Sequence, residues 1–243
     1  MVPEKHINEF VSKMRSAAGN NLRSIVLYGS AATGDFHPDF SNVNLLCVFN
    51  ETSFATLSAI APVVKWWTDK KHPPPLILTG DELNRSTDVF SIELLDMQQR
   101  HRVLFGDDLL SRLKIPMHLH RAQLEYELRE KTILLRQQIL ELSGRERGLW
   151  ELLLRSLPAF ATLFRHTLIA VGAAAPTTKR EAIQSLSTQI QFDSSPFLQL
   201  LDIREHKAER KQFDVRDLCR RYLEAVQQIT NVVDTMLDSR ASA

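Results

Sequence analysis

The chain has 243 residues, 44% hydrophobic and 24% charged, and its 30 basic against 29 acidic side chains leave a formal charge of +1. That length suits one large domain or two small ones with a sizeable core, and the composition excludes a disordered, collagenous or coiled-coil chain. The charge balance excludes a chain built to coat nucleic acid or an anionic membrane, and two cysteines, Cys47 and Cys219, are too few for a disulfide scaffold or a cysteine-rich zinc site.

In chain order, the N-terminus carries Glu4, Lys5 and His6 where a leader needs an apolar run. Ile7, Phe10, Val11 and Met14 recur at helical spacing and predict an amphipathic helix over 4–18, stopped by Gly19-Asn20-Asn21. Ser24 to Tyr28 is a short apolar run ending at Gly29, as in a buried strand, and Val43 to Phe49 is a second. A polar connection, Ser30 to Ser41, joins them, with a helix expected to start at the Gly-Ser pair. Residues 53–70 suit a helix ended by the prolines at 73–75. Leu76 to Thr79 predicts a third strand. Val89 to Leu95 predicts a fourth, with Phe90, Ile92 and Leu94 on one face and Ser91, Glu93 and Leu95 on the other.

Pro116 marks the expected junction, because proline discourages helix in the residue before it. The expected domains are therefore 1–116 and 117–243. The second is expected to be helical almost throughout. Leu124, Leu128, Leu135, Ile139 and Leu142 share a helical face. Residues 149–171 predict a longer apolar helix containing Pro158. It is too charged to span a membrane, being interrupted by Glu151, Arg155, Arg165 and His166. Thr178 and Glu181 have capping-box spacing, Pro196 suits a first helical turn, and Asp214 can cap the last helix. The expectation is an α+β chain: a mixed-sheet domain, then an antiparallel helical bundle. It is read as cytoplasmic, with no membrane partner and no indication of nucleic acid.

Chemistry concentrates in Leu27 to Leu46. A buried strand ends in Gly29-Ser30, and the next strand carries two polar residues, Asn42 and Asn44, on one face. A glycine turn lets a phosphate approach the backbone, and Ser30 adds a hydroxyl. Carboxylates at 42 and 44 could hold paired divalent metals beside it.

This stretch resembles the signature of the polymerase-β-like nucleotidyltransferase superfamily, which includes the kanamycin nucleotidyltransferases. That signature is a hydrophobic residue, Gly-Ser, a polar connection, then Asp-hydrophobic-Asp on the following strand. The resemblance spans residues 22–50, and a sheet domain followed by helices is similar to the kanamycin-type layout. It implies transfer of a nucleoside monophosphate from a nucleoside triphosphate to a hydroxyl, with Mg2+ on the two aspartates and a third acid on a later strand. It also implies that a nucleotide or another small molecule binds in the cleft between the domains. Glu93 is the candidate for the third acid, as metal ligand or base, with Asp96 as its rival.

The departure from the signature is sharp, because Asn42 and Asn44 stand where it has aspartates. A divalent ion about 4 Å from a unit charge gains roughly 8 kcal/mol at an effective dielectric of 20, and an amide dipole does not supply that. Three readings follow. One is a degenerate member in which Gly29, Ser30, Asn42 and Asn44 retain a nucleotide- or partner-binding role, with weak binding of Mg2+ and triphosphate. Another is an active enzyme ligating metal through Glu93, Asp35 or Asp39. The third is an interaction protein using its bundle as a homodimer or with a helical partner. His118 and His120 do not share a helix face, so they predict no metal pair. Trp66 and Trp67 beside Lys65, Lys70 and Lys71 read as the two sides of one helix. Cys47 and Cys219 read as packing residues.

Overall fold

Ile7, Phe10 and Met14, spaced three and four apart, bury one face of α1 (Glu4–Ala18). The computed structural model describes residues 2–33, 36–37, 41–142 and 144–241, with side chains through Thr235. Two compact units divide the chain, Met1–Pro116 and Met117–Ala243.

The first unit continues with β1 (Leu22–Tyr28), β2 (Asn44–Phe49), α2 (Phe54–Asp69), β3 (Leu76–Thr79), α3 (Gly80–Arg85), α4 (Ser91–Gln99) and β4 (His101–Gly106). The strands form one mixed sheet in the order β3-β2-β1-β4. β1 is antiparallel to both β2 and β4, while β3 runs parallel to β2. Alternation along the central strands builds two apolar layers. Ile25, Leu27, Leu45, Cys47 and Phe49 pack with α1 and with Trp67 of α2. Val26, Leu46 and Val48 face the other way, against Leu83 of α3, Leu94 and Met97 of α4, and Leu110 and Leu113. Both faces are covered, so β1 and β2 are apolar almost throughout instead of alternating with polar residues.

The edge strand β4 comes unusually close to β1. Gly106 has φ +76°, and a Cβ there would lie 1.9 Å from the Arg23 carbonyl oxygen. Only glycine fits that place.

One expected strand is corrected. Ser91–Gln99 is a helix, and the fourth strand is His101–Gly106. Ile92, Leu94, Leu95 and Met97 are buried, while Val89 and Phe90 are exposed. The alternation from Phe90 to Leu94 is too short to separate a two-residue period from a helical face. The helix formers Glu93, Leu94, Leu95, Met97, Gln98 and Gln99 decide the matter.

The second unit comprises α5 (Met117–Glu141), α6 (Glu146–Ala170), α7 (Lys179–Ile190), α8 (Ser195–Arg204) and α9 (Val215–Ala241). Helix α5 packs on α6 and α9, and α6 packs on α7, α8 and α9. Pro158 lies inside α6 without ending it. The caps are local: Thr178 and Glu181 close a capping box on α7, and Asp214 accepts from the Arg216 and Asp217 amides. Phe160, Phe164, Phe197 and Tyr222 are all fully buried at its centre. Cys47 and Cys219 are buried free thiols, and burial raises both pKa values. Trp67 is buried and Trp66 half-buried, with the Lys13 ammonium 5.3 Å from the Trp66 ring centroid. Among the described residues, no helix is long and apolar enough to cross a membrane.

Candidate functional site

The chain leaves the sheet at the end of β1, between two neighbours. Tyr28 pairs with Asn44 of β2 on one side and with His101 of β4 on the other. Arg100 and Asn44 therefore flank Gly29. The Gly29 N–H donates to the Arg100 carbonyl at 3.0 Å. Gly29 has φ +76°, a left-handed conformation that side chains disfavour. A Cβ there would also lie 3.4 Å from Asn44 Nδ2.

Gly29–Ala32 form a single 3-10 turn, not the start of a longer helix. This corrects the expectation of a helix at the Gly-Ser pair. The Gly29 amide is engaged by Arg100 and so does not point at a ligand. Beyond the turn, the Thr33 N–H donates to the Ser30 carbonyl at 3.3 Å. Arg100 Nη2 donates to Thr33 Oγ1 at 3.1 Å. Arg100 thus grips the turn from both ends, by its carbonyl at Gly29 and its guanidinium at Thr33.

The expected site residues are only partly gathered. Gly29, Ser30 and Asn44 meet at the end of β1, and all three are half-buried. Asn44 shares the sheet face of Leu46 and Val48, by alternation. Asn42 lies just before β2 and is exposed, with Val43 buried between the two amides. Glu93 is not on a strand: it sits exposed in the first turn of α4. That helix packs on the same sheet face through Leu94 and Met97. Asp96 is half-buried on α4. Asp35 and Asp39 lie outside the described residues.

Among the described residues, the donors do not fit a pair of magnesium ions. Magnesium takes charged oxygens in near-ideal octahedral geometry, and here two amides occupy the expected carboxylate positions. Among the described residues, no group of three or more His, Cys, Asp or Glu side chains could hold a metal ion.

Titratable groups adjoin the turn. Burial raises the pKa of the Tyr28 phenol. His101 Nε2 lies 3.1 Å from Asp108 Oδ1, and the Ser111 amide and hydroxyl both donate to the same carboxylate. Burial pushes the Asp108 pKa up, but the Ser111 hydrogen bonds and His101 outweigh it and hold the carboxyl below its usual value. The sequence reading missed Arg100. Nothing in its spacing signals a role, which exists only because β4 pairs with β1 from a distance in sequence.

Residues 5–101 match the family model of the nucleotidyltransferase domain. The crystal structure of spectinomycin adenyltransferase AAD(9) from Enterococcus faecialis, determined with ATP and spectinomycin, is similar in fold. It is 16% identical, the match covers 97% of this chain and 99% of that one, and the TM-score is 0.52. No curated protein matches the chain.

Proposed function

We propose that this protein, whose first unit is a nucleotidyltransferase domain of the polymerase-β-like superfamily followed by a helical region, binds a nucleoside triphosphate but does not carry out metal-dependent nucleotidyl transfer. One observation carries the reading. An amide, Asn44, stands beside Gly29 where the superfamily signature has a metal-binding carboxylate, with Nδ2 3.4 Å from the Cβ position of Gly29. Asn42 makes the same exchange two residues earlier. Phosphoryl transfer depends on charge neutralisation and in-line positioning by cations, and neutral amides supply neither. The fold, the glycine turn and the Ser30 hydroxyl are retained, and these serve binding. The structural neighbour was crystallised with ATP and a small molecule, which supports a nucleotide as the ligand to test first.

Calorimetry with ATP, with and without magnesium, tests this on the wild type and on Asn42→Asp/Asn44→Asp. The wild type is expected to bind ATP. Only the double variant should tighten when magnesium is added. Transfer of labelled adenylate from ATP to spectinomycin, or to another hydroxyl acceptor, that is abolished by Asn42→Ala would overturn the loss of transfer. Absence of any ATP binding by the wild type would overturn the binding role.

A further inference from the structure

We infer that the groove between α5 and α9 binds the oxyanion group, phosphate or carboxylate, of a small molecule. The inference does not rest on the nucleotide reading and lies wholly within the helical unit. The groove has a volume of about 260 Å³. Its lining is polar except for Ile133: Arg129, Thr132, Arg136, Gln227, Thr230 and Asn231. That is unusual for its surroundings. Three or four residues to either side of the threonines, Leu128, Leu135, Val226 and Val233 are buried apolar side chains. Spaces between the helices of a bundle with a few convergent polar groups are common places for a ligand.

Three features point to an anion. The first is charge. No carboxylate lines the groove among the described residues. Glu125 and Asp234 pair with Arg129 and offset its charge. Arg136 is different. Among the described residues it forms no ion pair, and its hydrogen-bond partner is the neutral Gln227 amide. With that amide turned so that its carbonyl oxygen faces Arg136, the oxygen accepts from Nε at 3.1 Å and Nη2 at 3.2 Å. The bond orients the guanidinium without neutralising it. It also occupies only one edge of the fork, leaving the Nη1–Nη2 edge to donate to two oxygens of one anion. The second feature is the amides. Gln227 and Asn231, four apart on one face of α9, add neutral N–H donors. The third is the wall behind them. Thr132 and Thr230 are only 3% and 8% exposed. Threonine is smaller than the leucines that flank Thr132 along α5, so the pair leaves space between the helices and lines it with oxygen.

The test is titration with sodium phosphate and with sodium acetate, each against sodium chloride of equal ionic strength. The proteins are wild type, Arg136→Gln and Arg136→Lys, with melting curves as a folding control. The readout is the side-chain amide signals of Gln227 and Asn231 in the nitrogen-15 NMR spectrum. Phosphate, acetate or both should move these signals saturably, and the anion that does so at the lower concentration identifies the group. Arg136→Gln should weaken that binding at least about tenfold. Arg136→Lys should recover part of the loss, because it restores the charge but not the fork. Signals that stay still with both anions would overturn the inference. So would shifts that chloride reproduces, or unchanged binding in a folded Arg136→Gln. If Arg136→Gln does not fold, the wild-type comparison with chloride still decides.

Discussion

The two units keep their polar groups in different places. Among the described residues of the sheet unit, only Ser24 and Ser91 are buried polar side chains. In the helical unit His120, Thr132, Arg165, His166, Thr167 and Thr230 are all buried. The sheet unit is apolar inside and carries its polar chemistry where β1 ends. The helical unit carries polar chemistry in its interior, where every polar group needs a partner. The Thr132 and Thr230 hydroxyl oxygens lie 3.1 Å apart, and each is also within hydrogen-bond distance of the carbonyl four residues back; each has one proton, so when one hydroxyl donates to the other, only the accepting one donates to its own carbonyl. Changes at the end of β1 should therefore alter binding with little effect on folding, while changes to the buried polar groups of the bundle should alter folding first.

The largest effect should be steric and in the sheet unit. Gly106→Ala sets a Cβ against the Arg23 carbonyl at 1.9 Å, in a left-handed backbone conformation. Strands β1 and β4 cannot move apart without losing their pairing. A loss of more than about 3 kcal/mol is expected, read by urea unfolding. A mild effect would mean that β4 pairs loosely, and the placement of Arg100 beside Gly29 would fall with it.

The next effect is electrostatic and belongs to the bundle. His120 Nε2 and His166 Nδ1 are 2.8 Å apart, and both rings are fully buried. Burial first, then His166 and Arg121, lower the His120 pKa from the usual 6.5 to about 4. Arg165, next to His166 on α6, is also buried. Folding therefore favours the neutral ring, and the unfolded chain takes up a proton first as pH falls. Stability is full above the unfolded value and is lost as pH falls from about 6.5 to about 4. Between pH 7 and pH 5 the loss should reach up to about 2 kcal/mol in urea unfolding. The double variant His120→Leu/His166→Leu should flatten that slope. An unchanged slope would assign the acid sensitivity to other groups.

The contrast between the units also governs what could be read from the sequence. Helix faces and caps are local codes. Leu124, Leu128 and Leu135 on α5, the Thr178 capping box and the Asp214 cap all lie where the residues within one or two turns dictate. In the sheet, the apolar runs of β1, β2 and β3 were long or well bounded enough to recognise. The segment after Asp88 was not, because Phe90 to Leu94 satisfies two periods at once and only the helix formers that follow separate them. The site divides in the same way. Gly29, Ser30 and Asn44 were legible because one turn and one adjacent strand bring them together. Arg100 was not, since the register between β1 and β4 places it. The His120–His166 contact was hidden for the same reason, as it joins two helices 46 residues apart in sequence.

Glu93 gives the smallest expected effect and the sharpest question about the sheet unit. Its carboxylate is exposed in the first turn of α4, where a negative charge gains about 0.3–1 kcal/mol from the helix N-terminus. Leu94 and Met97, not Glu93, are the residues of that helix that pack on the sheet. Glu93→Gln should remove that helix-terminus contribution, about 0.3–1 kcal/mol. It should leave ATP affinity in EDTA unchanged, because a metal-free site has no use for a third acid. The informative background is Asn42→Asp/Asn44→Asp. There, Glu93→Gln should spare the magnesium-dependent gain in affinity, because two restored aspartates at the end of β1 are enough to attract one cation. Loss of that gain would bring Glu93 to the metal despite its place on a helix.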